Sequence, residues 1–163
     1  MELLDVYDDF GNITGKKIVR GDKSVKLTPN EHIAVAIVFI ENSSGEFLIQ
    51  KTSLEKGGEY SSTGGHIDSG ETPLEAIKRE IKEELGISVD NDKIESLGYV
   101  LYDKPLRYVF YLKKDINLKE VNIQKEEVAS IEYMSKEKIF SLIDNNLFLT
   151  SHAILFNIIL KEK

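Results

Sequence analysis

Apolar positions arrive in short blocks along this chain, and their spacing predicts most of its elements. Leu3–Tyr7 and Lys16–Arg20 flank the turn-rich Asp8-Asp9-Phe10-Gly11-Asn12, which predicts an N-terminal hairpin within about residues 1–30. Asp22–Asn30 reads as connection. Ile33–Glu41 is dense in Ile, Val and Ala and predicts a buried strand, with a second over Glu46–Lys51 after the turn Asn42–Gly45. Thr52–Gly58 is a polar loop, and Tyr60–Ile67 is a short extended piece broken at Gly64-Gly65. Ser96–Tyr102, Arg107–Lys113 and Val128–Met134 read as further strands, and Lys136–Asp144 and Ser151–Lys161 as two C-terminal helices.

Between these lies a helix with clear punctuation. Thr72-Pro73-Leu74-Glu75 has the form of a capping box with proline at the first helical position, and Gly86 supplies the left-handed residue that ends such helices. Leu74, Ile77, Ile81 and Leu85 fall on one face at helical spacing. Strands interrupted by one central helix and finished by two more indicate a mixed α/β sandwich. No repeat or low-complexity linker divides the chain, so residues 1–163 read as a single domain.

Composition narrows the chemistry. The chain contains no cysteine, which excludes disulfides, thiolate metal sites and a thiol nucleophile. Glu2 and Asp5 stand where a signal peptide would be basic, and the longest apolar run, Ile33–Ile40, is too short to span a membrane. These features predict a soluble, cytoplasmic protein. A net charge of −7 argues against general affinity for nucleic acid or anionic lipid. It does not argue against small anionic substrates when a cation sits between carboxylates and phosphates.

Glu80, Glu83 and Glu84 stand at i, i+3 and i+4 on the central helix, so three carboxylates share a face spanning about 100°. That face is predicted beside the apolar stripe, at the edge of a cleft. Like charges at this spacing repel, and a divalent cation with a taste for hard oxygen ligands, magnesium or manganese, removes the penalty. Taken alone, the same three acids also describe an ordinary solvated face, relieved by Arg79 at i−4 from Glu83 and by Lys82.

The surrounding residues decide between these readings. Gly65, five residues, Glu71, seven residues, and Arg79-Glu80-Ile81-Lys82-Glu83-Glu84-Leu85-Gly86-Ile87 meet every specified position of the Nudix box, G-x5-E-x7-R-E-U-x-E-E-x-G-U. A chance match in a chain of this length has odds on the order of one in ten million. The chain therefore resembles the Nudix hydrolases, and its strand order is similar to the Nudix α/β/α sandwich, a mixed sheet with a central catalytic helix.

The resemblance implies roles residue by residue. It makes Glu80, Glu83 and Glu84 metal ligands, with the Gly64 backbone carbonyl joining them, and Arg79 and Glu71 supports that orient the ligands. Gly65 and Gly70 would supply backbone conformations that residues with a Cβ disfavour, and Gly86 the helix stop. It implies magnesium- or manganese-dependent water attack on phosphorus in a diphosphate linking a nucleoside to another moiety. The general base is Glu84 or a distal acid, Glu127 ahead of its neighbour Glu126. The implied partner is a small nucleotide-type diphosphate, with no nucleic acid and no membrane, and homodimer formation is left open.

Substrate selection falls outside the helix, in the N-terminal segment, the Thr52–Ser62 loop and the Tyr99–Tyr111 region. There Tyr60, Tyr102 and Tyr108 are candidates to stack on a base or pack in the core, and His66 is the one histidine close to the site. The N-terminal segment, Leu4-Asp5-Val6-Tyr7-Asp8 followed by Gly11-Asn12 and Thr14-Gly15-Lys16, is similar to Nudix proteins related to isopentenyl diphosphate isomerase. Those isomerases depend on a catalytic cysteine, which this chain lacks. Two further readings stand beside hydrolysis. One is a Nudix-fold sensor that binds a nucleotide without turning it over; the other is an RNA-decapping enzyme, for which no basic stretch is present.

Overall fold

The computed structural model describes residues 2–163. Strands β1 (Leu3–Tyr7) and β2 (Ile13–Val19) form the N-terminal hairpin as a separate two-stranded antiparallel sheet. The main sheet is built from β3 (Ala34–Glu41), β4 (Phe47–Thr52), β5 (Tyr60–Ser61), β6 (Thr63–His66), β7 (Glu95–Leu101), β8 (Leu106–Lys113) and β9 (Val128–Met134). Its order is β5-β4-β3-β8-β7, with β6 joined to β3 and β9 to β4. β3 and β8 run parallel from Ala34–Leu106 to Glu41–Lys113, while the other pairs are antiparallel, so the sheet is mixed.

Both faces of the central strand are covered, which explains its unbroken run of apolar residues. Ala34, Ala36, Val38 and Ile40 meet Ile77, Ile81 and Leu85 of helix α1 (Pro73–Leu85) on one face. Val35, Ile37 and Phe39 meet α2 (Lys136–Asp144) through Ile139 and α3 (Thr150–Glu162) through Leu155, Phe156 and Ile159 on the other. Phe156 anchors that second layer, edge-on to Phe47 at 5.1 Å and tilted against Phe39 at 5.6 Å. The result is the expected α/β/α sandwich. No helix among the described residues is long and apolar enough to cross a membrane.

Helix α1 starts and stops where its punctuation predicts. Thr72 Oγ1 accepts from the Glu75 N–H at 3.1 Å, and the Glu75 carboxylate accepts from the Thr72 N–H at 2.9 Å. Gly86 closes it at φ 70°, its N–H donating to the Lys82 carbonyl.

Two expectations need correction. Leu74 does not belong to the buried stripe: it is 40% exposed, and Ala76 takes part instead, alongside Ile77, Ile81, Glu84 and Leu85. That substitution turns the buried arc by roughly 55° toward the carboxylates and centres it near Glu84. Glu84 therefore lies inside the covered face rather than beside it. The second correction concerns Gly64-Gly65, which does not break the extended piece. Both glycines lie within β6, paired with Ile37 and Ala36, and the interruption falls at Ser62. Ser62 turns inward there, its hydroxyl on the Val38 carbonyl and its N–H on His152 Nδ1 at 3.0 Å.

The hairpin is fastened to the loop that precedes α1. Asp5 is buried in β1, and its carboxylate accepts from Ser69 Oγ at 2.9 Å and from the Gly70 N–H at 3.0 Å, with Lys17 Nζ at 3.3 Å. Burial works to raise the Asp5 pKa, but these donors hold it below the ordinary carboxylate range. A further bond runs from the Ser69 N–H to the Leu3 carbonyl. The start of the chain thus braces the middle of it.

Candidate active site

The open edge of β6 forms one wall of a cleft. The Ile67 N–H donates to the Ala34 carbonyl, which fixes the alternation along the β3–β6 pair and turns the peptide groups of Gly64 and His66 away from β3. α1 meets them there. The Gly64 N–H donates to Glu84 Oε2 at 3.2 Å, and the His66 carbonyl accepts from Arg79 Nη2 at 3.0 Å. The Gly64 carbonyl shares that outward edge and is available as an oxygen donor.

A cavity of about 170 Å³ opens between this wall and the helix. Glu80, Glu83, Glu84 and Arg79 of α1 line it, together with Gly64, Gly65 and His66. Glu127 lines it as well, arriving from the segment just before β9. The neighbouring Glu126 does not; it borders a separate surface depression with Ser53 and Leu54. Sequence reasoning missed four residues that line the same cavity: Glu2, Arg20, Asp68 and Gln124. Asp68 falls among the unspecified positions of the box, and Glu2 and Arg20 are brought in only by the hairpin, so none carried a local signal.

The three helix carboxylates are unequal, as the rotated arc requires. Side-chain exposure is 50% for Glu83 and 13% for Glu80, and Glu84 is the most enclosed. Burial pushes the Glu84 carboxyl up to about 8, aided by the charge of Glu80 and opposed by the Gly64 N–H and Gln50. Burial likewise pushes Glu80 up to about 7, against the pull of Arg79.

Arg79 organises the set. Its Nε donates to Glu71 Oε2 at 2.7 Å and its Nη1 to Glu80 at 2.9 Å and Glu83 at 3.2 Å, with Asp68 at 3.4 Å. Its bonds to Glu71 raise its pKa further above an already high value, so it stays charged. The pair with Glu80 is lopsided: Arg79 is stabilised as a cation while Glu80, sunk beside the helix, resists ionising. At Glu71 burial works upward, but Arg79 and the Asp68 N–H hold it below its ordinary value.

Gly65 has a steric task rather than a conformational one. Its φ is not positive, unlike that of Gly70 at 88°. A Cβ on Gly65 would stand 2.5 Å from Glu80 Cδ and nearer still to a carboxylate oxygen. The missing side chain is therefore the space into which Glu80 folds.

These are hard oxygen donors of the kind that suit magnesium or manganese. Among the described residues no three Asp, Glu or His side chains stand together in metal-holding geometry, and Arg79 is bonded to both Glu80 and Glu83. The donor set nonetheless fits a divalent cation. Two carboxylates whose burial disfavours lone charge face a cleft, with the glycine backbone of β6 close beside them.

Tyr60 does not join the site. Its ring packs with the α2–α3 layer and lies under Lys51 Nζ at 5.4 Å. Tyr108 stacks with Tyr7 and Tyr99 beneath Gly11 of the hairpin, and Tyr102 lies against Arg107. His32 is held between Asp9 and the Lys104 carbonyl, and buried His152, whose pKa burial lowers to about 3, accepts from Ser62.

Residues 30–151 match the sequence model of the NUDIX domain. The chain belongs to the Nudix hydrolase family. It is 32% identical over 154 residues to an uncharacterized Nudix hydrolase of Listeria monocytogenes, covering 91% of this chain and 89% of that protein. It is 34% identical over 113 residues to an isopentenyl-diphosphate Delta-isomerase of Corynebacterium diphtheriae, covering 67% of this chain and 59% of that one. A crystal structure from Deinococcus radiodurans shares the fold with a TM-score of 0.76 at 23% identity, covering 90% of this chain and 91% of that one. Membership makes this Nudix hydrolase an enzyme that acts on pyrophosphate bonds.

Proposed function

We propose that this Nudix hydrolase is a magnesium- or manganese-dependent pyrophosphohydrolase that cleaves the diphosphate of a nucleoside diphosphate linked to another moiety. The observation that carries the reading is the pair Glu80 and Glu84, both turned into one small polar cleft, with Gly65 shaped around the first and the Gly64 N–H on the second. Glu80, Glu83, Glu84 and the Gly64 carbonyl would hold the metal. Such a cation, when bound, neutralises charge on the phosphate oxygens and acidifies water.

The chain's own residues do the rest. Arg79, anchored on Glu71 and the His66 carbonyl, keeps the helix carboxylates aligned along the wall. Glu84 and Glu127 both reach the cavity, and each can take the proton of an attacking water. Glu127 stands 3.5 Å from Lys56, and its side chain is 41% exposed, within reach of water. His66 lines the same cavity and would touch the substrate. The cavity is polar and narrow enough for phosphates, so a nucleoside would rest outside it. The isomerase relative raises a second chemistry, but this chain offers no cysteine for it. We propose further that residues 1–163 act as one domain.

A panel of nucleoside triphosphates, oxidised nucleotides, ADP-ribose, dinucleoside polyphosphates, NADH and prenyl diphosphates, assayed with magnesium or manganese, tests the reading. Hydrolysis of a nucleotide diphosphate linkage that stops in chelator is the expected result. Undiminished turnover in chelator, or tight binding of a panel member with no turnover, would overturn it.

Metal and pH are expected to couple in thermal melts. Glu80 and Glu84 have folded-state pKa values above their ordinary one, so the native metal-free protein binds more protons than the unfolded chain between about 4.5 and 8. Their contribution to stability is complete below that window and is lost as pH rises through it. Manganese needs the ionised carboxylates, so its stabilising effect grows in the same direction. At pH 8 a hundredfold excess over Kd is expected to raise Tm by on the order of 5–10 °C, and at pH 5 by little. Equal shifts at the two pH values would show that these carboxylates do not hold the ion.

A further inference from the structure

Six acids line the catalytic cleft, Glu2, Asp68, Glu80, Glu83, Glu84 and Glu127, against two arginines. A diphosphate adds more negative charge to that space. A divalent cation on the helix side answers part of it, and the arginines must answer the rest. Arg79 is not free to do so, since its guanidinium is spent on Glu71, Glu80, Glu83 and the His66 carbonyl.

Arg20 is differently placed. It follows β2 on the hairpin, across the cleft from α1, and its side chain is 48% exposed. Its one carboxylate partner among the described residues is Glu2, with Nη1 donating to Glu2 Oε2 at 2.9 Å. The Glu2 side chain is itself 54% exposed, and ion pairs this open are weak and readily exchanged. A guanidinium presents a fork of donors that matches a phosphate better than a single carboxylate oxygen does.

We propose that Arg20 is the substrate-binding cation of this cleft, taking the phosphate that the helix carboxylates do not serve, and that Glu2 occupies Arg20 until that phosphate displaces it. The inference rests on the reading of the cleft as a diphosphate site and extends it. Glu2 then competes with the substrate for one guanidinium. A cross-strand ion pair that merely closes the hairpin would make Glu2 and Arg20 equivalent; competition gives their removal opposite signs.

Titration calorimetry with imidodiphosphate, which the enzyme cannot hydrolyse through a P–O–P bridge, separates the cases in the presence of manganese. Manganese binding alone is measured on each variant. Arg20→Gln is expected to weaken imidodiphosphate binding about tenfold, Arg20→Lys to restore part of the loss, and Glu2→Gln to tighten binding about threefold. Manganese affinity should stay at the wild-type value in all three. Unchanged imidodiphosphate binding by Arg20→Gln would overturn the proposal and leave the hydrolase reading standing. Weakening by Glu2→Gln, or loss of manganese affinity in Arg20→Gln, would show a structural pair and overturn it equally. Failure of the wild-type protein to bind the probe with manganese would remove the diphosphate reading itself, and this inference with it.

Discussion

Glu84→Gln is expected to lower hydrolysis by more than about a hundredfold, since even residues that only support a metal ligand cost ten- to a hundredfold. The protein should nevertheless fold and melt at or above the wild-type temperature without metal at pH 8. Glutamine keeps an oxygen for the Gly64 N–H, preserves helix propensity, and removes a carboxyl whose ionisation burial opposes. Loss of activity with gain of stability is the signature of a residue retained for chemistry rather than for the fold. Activity near wild type would remove Glu84 from the site. A large fall in Tm would show that its charge, and not only its shape, is needed in the fold.

The adjacent glycines should separate fold from function even more sharply. A Cβ at Gly64 would stand 2.9 Å from Ile37 Cγ1 and 3.0 Å from Ile37 Cα, with the Ala36 carbonyl oxygen closer still. Backbone cannot swing aside, so β6 must part from β3, and Gly64→Ala is expected to cost about 1–3 kcal/mol, or several degrees of Tm. The three atoms nearest a Cβ at Gly65 all belong to the Glu80 carboxylate. That side chain can move, so Gly65→Ala should melt close to wild type while the displaced Glu80 weakens manganese binding and turnover by more than about tenfold. Thermal melts and manganese titrations of the two variants test the contrast. The reverse pattern, a stable Gly64→Ala that binds no metal and an unstable Gly65→Ala that does, would refute this division of labour.

How much of this was legible beforehand follows from where the information sits. The ends of α1 could be read from Thr72, Glu75 and Gly86, because capping is local chemistry between residues three or four apart. β3 could be read from its density of branched residues, because a strand covered on both faces has no polar side to display. The rotation of α1 could not be read. Alanine at position 76 is too small to weigh in an apolar stripe, yet it lets the helix roll toward the sheet and carries Glu84 under cover. The role of Gly64 and Gly65 was hidden for a similar reason: glycine signals a turn from sequence, and only the packing of β6 between β3 and α1 shows that absent atoms are what the site needs. Tyr60 was a plausible base-stacking residue by type and position in the chain, but strand pairing sends its ring into the other layer. Glu2 and Arg20 lie in the first twenty residues, and nothing local tied them to a helix that begins at Pro73.

The two-stranded sheet at the start of the chain lies outside the residues that match the NUDIX domain, which begin at residue 30. It is bridged from Tyr7 to His32, just before β3, and grips the loop before α1 through Asp5. One bank of the cleft is thus carried by the hairpin and the other by the residues that match the shared domain. The machinery for breaking the bond and the machinery for admitting the molecule can therefore drift apart over generations. Substitutions in a short hairpin could give such an enzyme a new diet while every residue of its box stays as it was.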